Sequence, residues 1–304
     1  MTDARPTDAA ANGPRAPRGA ADPSSPFHRP ASRGRFTARR ARVLAVEKVS
    51  PVILRVRVGG EELSDFASTG PTDHVKLFFP DPETGELIAP APAGPGEDGI
   101  VRPEGPVQPR DFTPLNVTTH PDGAVTVDFD FFVHPSPGPA SRWASSAQLG
   151  DEIVVVGPRG SRGAPQGASR VVVIVDETAL PSATRWAAEV PASTAVDLIA
   201  FTEDDGAWVA DYVSSTSGRA GDVRVHHVDS AHAADALVPA LERVGVDAGT
   251  FVFAAGEASS LVALRRHLRH ELALPREQFA VSGYWKRGTA GFDHHAPIDP
   301  ADPD

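Results

Sequence analysis

The chain has 304 residues, a formal net charge of −11, 40% hydrophobic residues and no cysteine. Its length accommodates two domains. The lack of cysteine excludes disulfides, thiolate metal ligands, iron–sulfur clusters and cysteine nucleophiles, so redox chemistry would need a bound cofactor. The acidic balance argues against general nucleic-acid affinity.

Residues 1–35 are rich in Pro, Ala, Gly and Arg and lack the apolar core of a signal peptide. They read as a disordered tail. The longest apolar run, 171–175, is far too short to cross a membrane, and the protein is expected in the cytoplasm, without membrane insertion. From 36 to 165, short alternating runs at 43–46, 52–58, 75–79 and 125–131 are separated by turn residues, which predicts an antiparallel β-barrel. The stretch 82–109, crowded with Pro and Gly, reads as a long mobile loop, a tolerated insertion before a lid.

Two segments of the barrel carry chemistry. In R-D-F-T-P, Arg110 and Phe112 share one strand face and Thr113 points to the other, unless a bulge or Pro114 re-aims it. The segment then offers a cation for phosphate, a ring for stacking and a hydroxyl for a heteroatom. The run D-F-D-F-F-V next delivers His134 and a Gly138-Pro139-Ala140-Ser141 turn into a short helix. Glycine permits close backbone approach, proline presets the first helical turn, and free amides at a helix start suit a phosphate. A plain capped helix is the competing account, and Trp143 reads as core filling.

After 163–167 the pattern changes to alternating strand and helix, with strands at 171–175, 196–201, 223–227, 251–254 and 279–285. Helices are expected at 178–189, 233–244 and 257–272, the last with Leu261, Leu264, Leu268 and Leu272 on one face. This is a doubly wound parallel sheet over 168–290. Ligands of such sheets lie beyond the carboxyl ends of the strands. Those ends carry Asp176, Glu177 and Thr178, then Glu203, Asp204 and Asp205, then Gly256 and Glu257. No G-x-G-x-x-G follows the first strand, so an exchangeable nucleotide fits better than a tightly held one. The acidic second loop leans towards NADH over NADPH. Residues 291–304 read as a second disordered, acidic tail, and neither His226-His227 nor His294-His295 has metal-site spacing.

With H-V-K-L-F-F-P (74–80), D-E-T-A-L-P (176–181), A-A-G-E (254–257) and G-Y-W-K-R-G (283–288), these motifs resemble the siderophore-interacting protein family, flavin reductases of the ferredoxin-reductase-like superfamily. The resemblance spans about 36–288. It implies an FAD-binding barrel followed by an NAD(P)H-binding domain. NADH or NADPH would reduce the flavin, which would reduce the iron of a ferric siderophore so that ferrous iron leaves. By resemblance, Arg110 pairs with the FAD pyrophosphate, Phe112 stacks on the flavin, and Thr113, beside Pro114, hydrogen-bonds near the reacting flavin nitrogen. His134, Gly138, Pro139, Ala140, Ser141, Trp143 and Ala144 line the phosphate corner. Asp176, Glu177 and Thr178 face the nicotinamide nucleotide, while Lys286 and Arg287, with Lys76 and Arg159 as outsiders, steer an anionic chelate. No protein metal ligand is needed, and a monomer is expected. The family usually has Tyr at Phe112 and often Arg at Leu115, departures that predict weaker FAD binding. The alternatives are a flavin reductase serving another acceptor and a flavin- or siderophore-binding protein with little turnover.

Overall fold

A computed structural model describes residues 22–81, 84–105, 107, 109–134, 138–219 and 221–303. The first half contains β1 (Ala31–Ser32), β2 (Ala38–Lys48), β3 (Ile53–Gly59), β4 (Val75–Phe78), β5 (Ala91–Pro92), β6 (Ile100–Val101), β7 (Arg110–Phe112), β8 (Leu115–Thr119) and β9 (Val125–Phe132). Helix α1 (Pro139–Ser146), β10 (Glu152–Val156) and β11 (Ser161–Arg162) follow.

Seven of these strands form one antiparallel sheet in the order β7-β4-β10-β2-β3-β9-β8. Strands β7 and β8 lie at opposite edges, yet only Thr113 and Pro114 separate them in sequence. The sheet must therefore curl until its edges meet at that dipeptide. The period-2 alternation of β9 puts Val125, Val127, Phe129 and Phe131 into the barrel core with Val56, Val58, Leu77 and Val155. Its other face carries Asp128 and Asp130, directly opposite Arg57 and Arg55 of β3 and paired with them at 2.7 Å.

The second half is a five-stranded parallel sheet in the order β14-β13-β12-β15-β16. Its strands are β12 (Arg170–Val175), β13 (Ala195–Thr202), β14 (Val223–Asp229), β15 (Thr250–Glu257) and β16 (Phe279–Trp285). Helices α2 (Leu180–Glu189) and α3 (Val209–Ser217) contribute to the core on one face. Helix α4 (Ala233–Val244) and α5 (Val262–Arg266) cover the other. The direction of winding reverses between β12 and β15, which makes their carboxyl ends the switch point where such folds bind ligands.

The halves are pinned together by buried polar contacts. The Tyr212 hydroxyl of α3 donates to Asp130 at 2.7 Å, and Arg55 reaches Thr216 at 3.0 Å. From α2, Arg185 donates to the Ser68 hydroxyl at 2.6 Å and to the Pro114 carbonyl at 3.2 Å.

Four expectations change. Of the expected N-terminal tail, residues 1–21 lie outside the described residues, but 22–35 are fixed. Phe27 is buried in the core of the parallel sheet, Arg29 lies 4.9 Å over the Trp186 ring, and β1 pairs with β11. The stretch 82–109, where described, is not a bare loop: it contains the β5–β6 ribbon and packs Leu87, Ala89, Ile100 and Val107 onto the barrel's outer face. The acidic C-terminal segment also folds back. Asp299 pairs with Arg266 at 2.6 Å, and Asp302 with Arg265 at 3.0 Å and Arg269 at 3.1 Å. In the last expected helix, Leu261, Leu264 and Leu268 are buried, but the final turn widens into a π-helix (His267–Glu271) and Leu272 is 39% exposed. A π turn shifts the side-chain period, and Leu272 leaves the apolar stripe.

Candidate active site

The two barrel motifs converge through aromatic rings. Phe112 lies 4.4 Å from Phe131 and 6.1 Å from Phe79, while Trp143 of α1 lies 4.6 Å from Phe79 and 5.6 Å from Phe131. Edge-to-face and tilted contacts of this kind fix ring orientation as well as burying area. Trp143 thus packs under the corner, as its core-filling reading expects. The Ser141 hydroxyl donates to the Phe132 carbonyl at 2.9 Å, and the His134 ring stacks on Phe132 at 5.5 Å. The corner is therefore tied to the end of β9 rather than standing free.

Several features of this site fit a diphosphate. Helix α1 is capped by Gly138, with Pro139 in its first turn, and among the described residues no side chain caps the amides of Ala140 and Ser141. Among the described residues, a β-carbon built on Gly138 would meet nothing within 4 Å. Gly138 itself has φ −71° and ψ 176°, an extended conformation open to any residue, so its left-handed freedom is not used. The half-buried Arg110 guanidinium donates to the Pro109 carbonyl at 3.0 Å and meets no carboxylate among the described residues. Thr113 is 7% exposed at the corner between β7 and β8. The neighbouring Pro114 carbonyl is held by Arg185, so the parallel-sheet domain grips the R-D-F-T-P segment directly.

Leu115 is 3% exposed and sits opposite Asp128 in the β8–β9 register. Asp128 is satisfied without an arginine at position 115: Arg57 binds both its oxygens at 2.7 and 2.9 Å, and the Asn116 amide donates at 2.9 Å. Leu115 thus lies inside the fold.

At the switch point, Asp176 is a hub. One oxygen accepts from the amides of Thr178 at 3.0 Å and Ala179 at 3.2 Å and from the Thr178 hydroxyl at 2.6 Å. The other accepts from the Glu257 amide at 2.9 Å and the Trp285 indole at 2.7 Å. Burial raises the Asp176 carboxyl despite these bonds. Gly256 has φ +142°, and a β-carbon there would come within 2.6 Å of the Asp176 carboxyl, so only glycine fits. Glu177 accepts the Glu203 amide at 2.6 Å, and burial, reinforced by Asp176 and Glu203, pushes its carboxyl up to about 7. Glu257 accepts from the amides of Ser260 at 2.8 Å and Arg287 at 3.1 Å.

These contacts place Asp176, Glu177 and Thr178 at the mouth of the switch point, with their polar side-chain atoms engaged in bracing three strand ends. In the second loop, Asp204 accepts the Trp208 indole at 2.8 Å and the Gly206 amide at 2.9 Å, so this carboxylate also shapes its own turn. Lys286 and Arg287 occupy an exposed turn closed by the Thr289 amide on the Lys286 carbonyl at 3.0 Å; the Arg287 guanidinium lies 5.8 Å over the Trp285 ring, and neither cationic side chain is paired with a carboxylate among the described residues. Lys76 is not free: its ammonium holds Asp111 at 2.9 and 3.0 Å. Arg159 lies 4.6 Å over the Phe36 ring. Arg185, Trp285 and Glu257 were not singled out for these contacts by sequence reading. Only the proximity of Glu257 and Trp285 to strand ends hinted at a part for them.

Comparisons with known proteins agree with this geometry. Residues 42–162 match the siderophore-interacting FAD-binding domain, and residues 168–288 match the siderophore-interacting protein model. An NADPH-dependent ferric-chelate reductase of Escherichia coli is 42% identical over 144 residues, a match spanning 47% of this chain and 53% of that protein. A ferric vibriobactin reductase of Vibrio cholerae is 30% identical over 79% of this chain and 86% of its own length. The crystal structure of a siderophore utilization protein from T. fusca superposes with a TM-score of 0.74 at 33% identity, covering 88% of this chain and all of that one. With both halves matched in this way, this chain, a barrel joined to a parallel sheet, belongs to the siderophore-interacting protein family.

Proposed function

We propose that the protein is an FAD-dependent reductase that takes electrons from NADH or NADPH and delivers them to the iron of a ferric siderophore. The observation that carries this reading is the convergence of R-D-F-T-P and G-P-A-S-R-W on one aromatic cluster, under the grip of Arg185 from the nucleotide domain. The E. coli and V. cholerae relatives, whose names are those of ferric-chelate and ferric vibriobactin reductases, support it.

FAD, when bound, supplies the means of accepting a hydride and releasing electrons singly. The chain binds and orients. Arg110 and the amides of Ala140 and Ser141 would meet the diphosphate, Phe112 would present its ring, and Thr113 would offer its hydroxyl where the reacting ring nitrogen lies. Pro114, Gly138, Pro139, Trp143 and Ala144 would shape the cradle, and His134 would stand beside the phosphate or adenosine end. Asp176, Glu177 and Thr178 hold the switch-point loops open for the nicotinamide nucleotide. Lys286 and Arg287 would draw in an anionic chelate. One nucleotide carries two electrons, so two ferric ions are reduced per turnover. Reduction lowers the charge on iron and loosens oxygen chelation, and no protein ligand to the metal is required. We infer a cytoplasmic monomer. Among the described residues no helix is long and apolar enough to cross a membrane.

Fluorescence titration with FAD tests the reading. Saturable binding that weakens in Arg110→Ala supports it, and no binding in the presence of excess FAD overturns it.

A further inference from the structure

The C-terminal segment brings two histidines onto the barrel at a place the reaction above does not use. Phe292 anchors it against Gly283, where a β-carbon would come within 3.1 Å of the Phe292 ring, and Asp299 anchors it on Arg266. Between these anchors the His294 ring lies 4.7 Å from His74 and 4.0 Å from His295, and His74 and His295 are 6.5 Å apart. His294 Nδ1 approaches Asp111 at 3.3 Å, while its Nε2 is buried without a hydrogen-bond partner. His74 and His295 are exposed. Asp111 lies on the outward face of β7, the strand whose other face carries Arg110 and Phe112.

We propose that His74, His294 and His295 form a proton-switched docking patch for an anionic ligand beside the flavin segment. That the natural anion is a ferric chelate rests on the function proposed above. The charged groups facing the rings are Lys76, Asp111 and Asp293. With neutral imidazoles the patch has one ammonium against two carboxylates and repels anions. Protonating all three rings turns that excess of one negative charge into an excess of two positive charges. Desolvation and the neighbouring His294 lower His74 and His295, so in the free protein these rings resist protonation. A bound anion relieves the repulsion among them and draws protons in. Affinity for the anion therefore rises as pH falls, by about tenfold per pH unit for each proton taken up. Among the described residues no group of three or more histidines and carboxylates is placed to hold a metal ion, so the patch acts on the charge of a complex.

The test uses the 304-residue chain without flavin or reductant. Proton NMR follows the eleven histidines through pH titrations with and without hexacyanocobaltate(III), a redox-inert trianion whose charge does not change with pH. Single His→Gln variants assign the three rings. The expected result is an upward pKa shift confined to His74, His294 and His295, with hexaamminecobalt(III), a trication, giving no such rise. No shift, or an equal shift across all histidines, overturns the proposal. A protein that binds FAD yet shows no such confined shift loses only this patch, whereas one that shows the shift but binds no FAD loses only the reductase reading.

Discussion

Asp176 and Trp285 stand 109 residues apart in sequence, and the indole N–H of one meets the carboxylate of the other at 2.7 Å. This bond joins the end of the first strand of the parallel sheet to the end of the last. The second oxygen of Asp176 fixes the loop that follows the first strand, so a single buried carboxylate sets the shape of the switch point. Every group that reaches it is a donor, and an amide cannot replace it, because its NH2 would face donors. Asp176→Asn is expected to destabilise the protein by about 3 kcal/mol, and Trp285→Phe by about 2 kcal/mol. Both should raise KM for the nicotinamide nucleotide while leaving FAD affinity unchanged. Thermal melts and steady-state kinetics check this, and an unaltered melt for Asp176→Asn would contradict it.

Gly256 offers a sharper probe of the same site. Alanine would collide with the Asp176 carboxyl and occupy a backbone conformation that costs side-chain-bearing residues about 2 kcal/mol. Gly256→Ala should weaken nucleotide binding about tenfold, equivalent to about 1.4 kcal/mol. Isothermal titration with NADH and NADPH reads the loss, and parallel FAD titration should stay level.

Glu177 makes stability depend on pH with a definite sign. Its carboxyl rises from 4.5 to about 7 on folding, so the native state holds more protons than the unfolded state in that window. Its contribution to stability is therefore full below 4.5 and declines as pH rises to about 7. Glutamine keeps the carbonyl acceptor for the Glu203 amide without the charge. Glu177→Gln should melt higher than wild type near pH 8, with the difference closing near pH 5. Melting curves at the two pH values decide, and a constant difference would contradict the assignment.

Phe112 lies in the aromatic cluster but lacks the hydroxyl that the family usually carries there. Phe112→Tyr should tighten FAD by about 1 kcal/mol, and Phe112→Ala should weaken it. Fluorescence titration checks both, and unchanged or weaker binding by the tyrosine variant would count against placing this ring at the flavin.

The barrel and the parallel sheet were legible because their signals are local: period-2 alternation in D-F-D-F and short apolar strands between amphipathic helices. R-D-F-T-P and G-P-A-S-R-W were also legible as motifs, though not their meeting on Phe79 and Phe131. What escaped was long-range pairing within biased composition. Phe27 is one apolar residue in a Pro- and Ser-rich stretch, and nothing near it signals the core it enters. Asp299 and Asp302 look like tail charges until Arg265, Arg266 and Arg269 are placed on one helical stripe, a complementarity that was present in the sequence. Asp176 read as a ligand because its position was recognisable, whereas its donors at Glu257 and Trp285 lie 81 and 109 residues away.

The central claim is tested most directly by anaerobic absorbance of the FAD-loaded protein. NADH or NADPH should bleach the flavin bands, and a ferric siderophore should then restore them with release of ferrous iron, trapped by a ferrous-specific chelator. Failure of the bands to bleach, or bleaching with no iron-dependent return, would contradict the account.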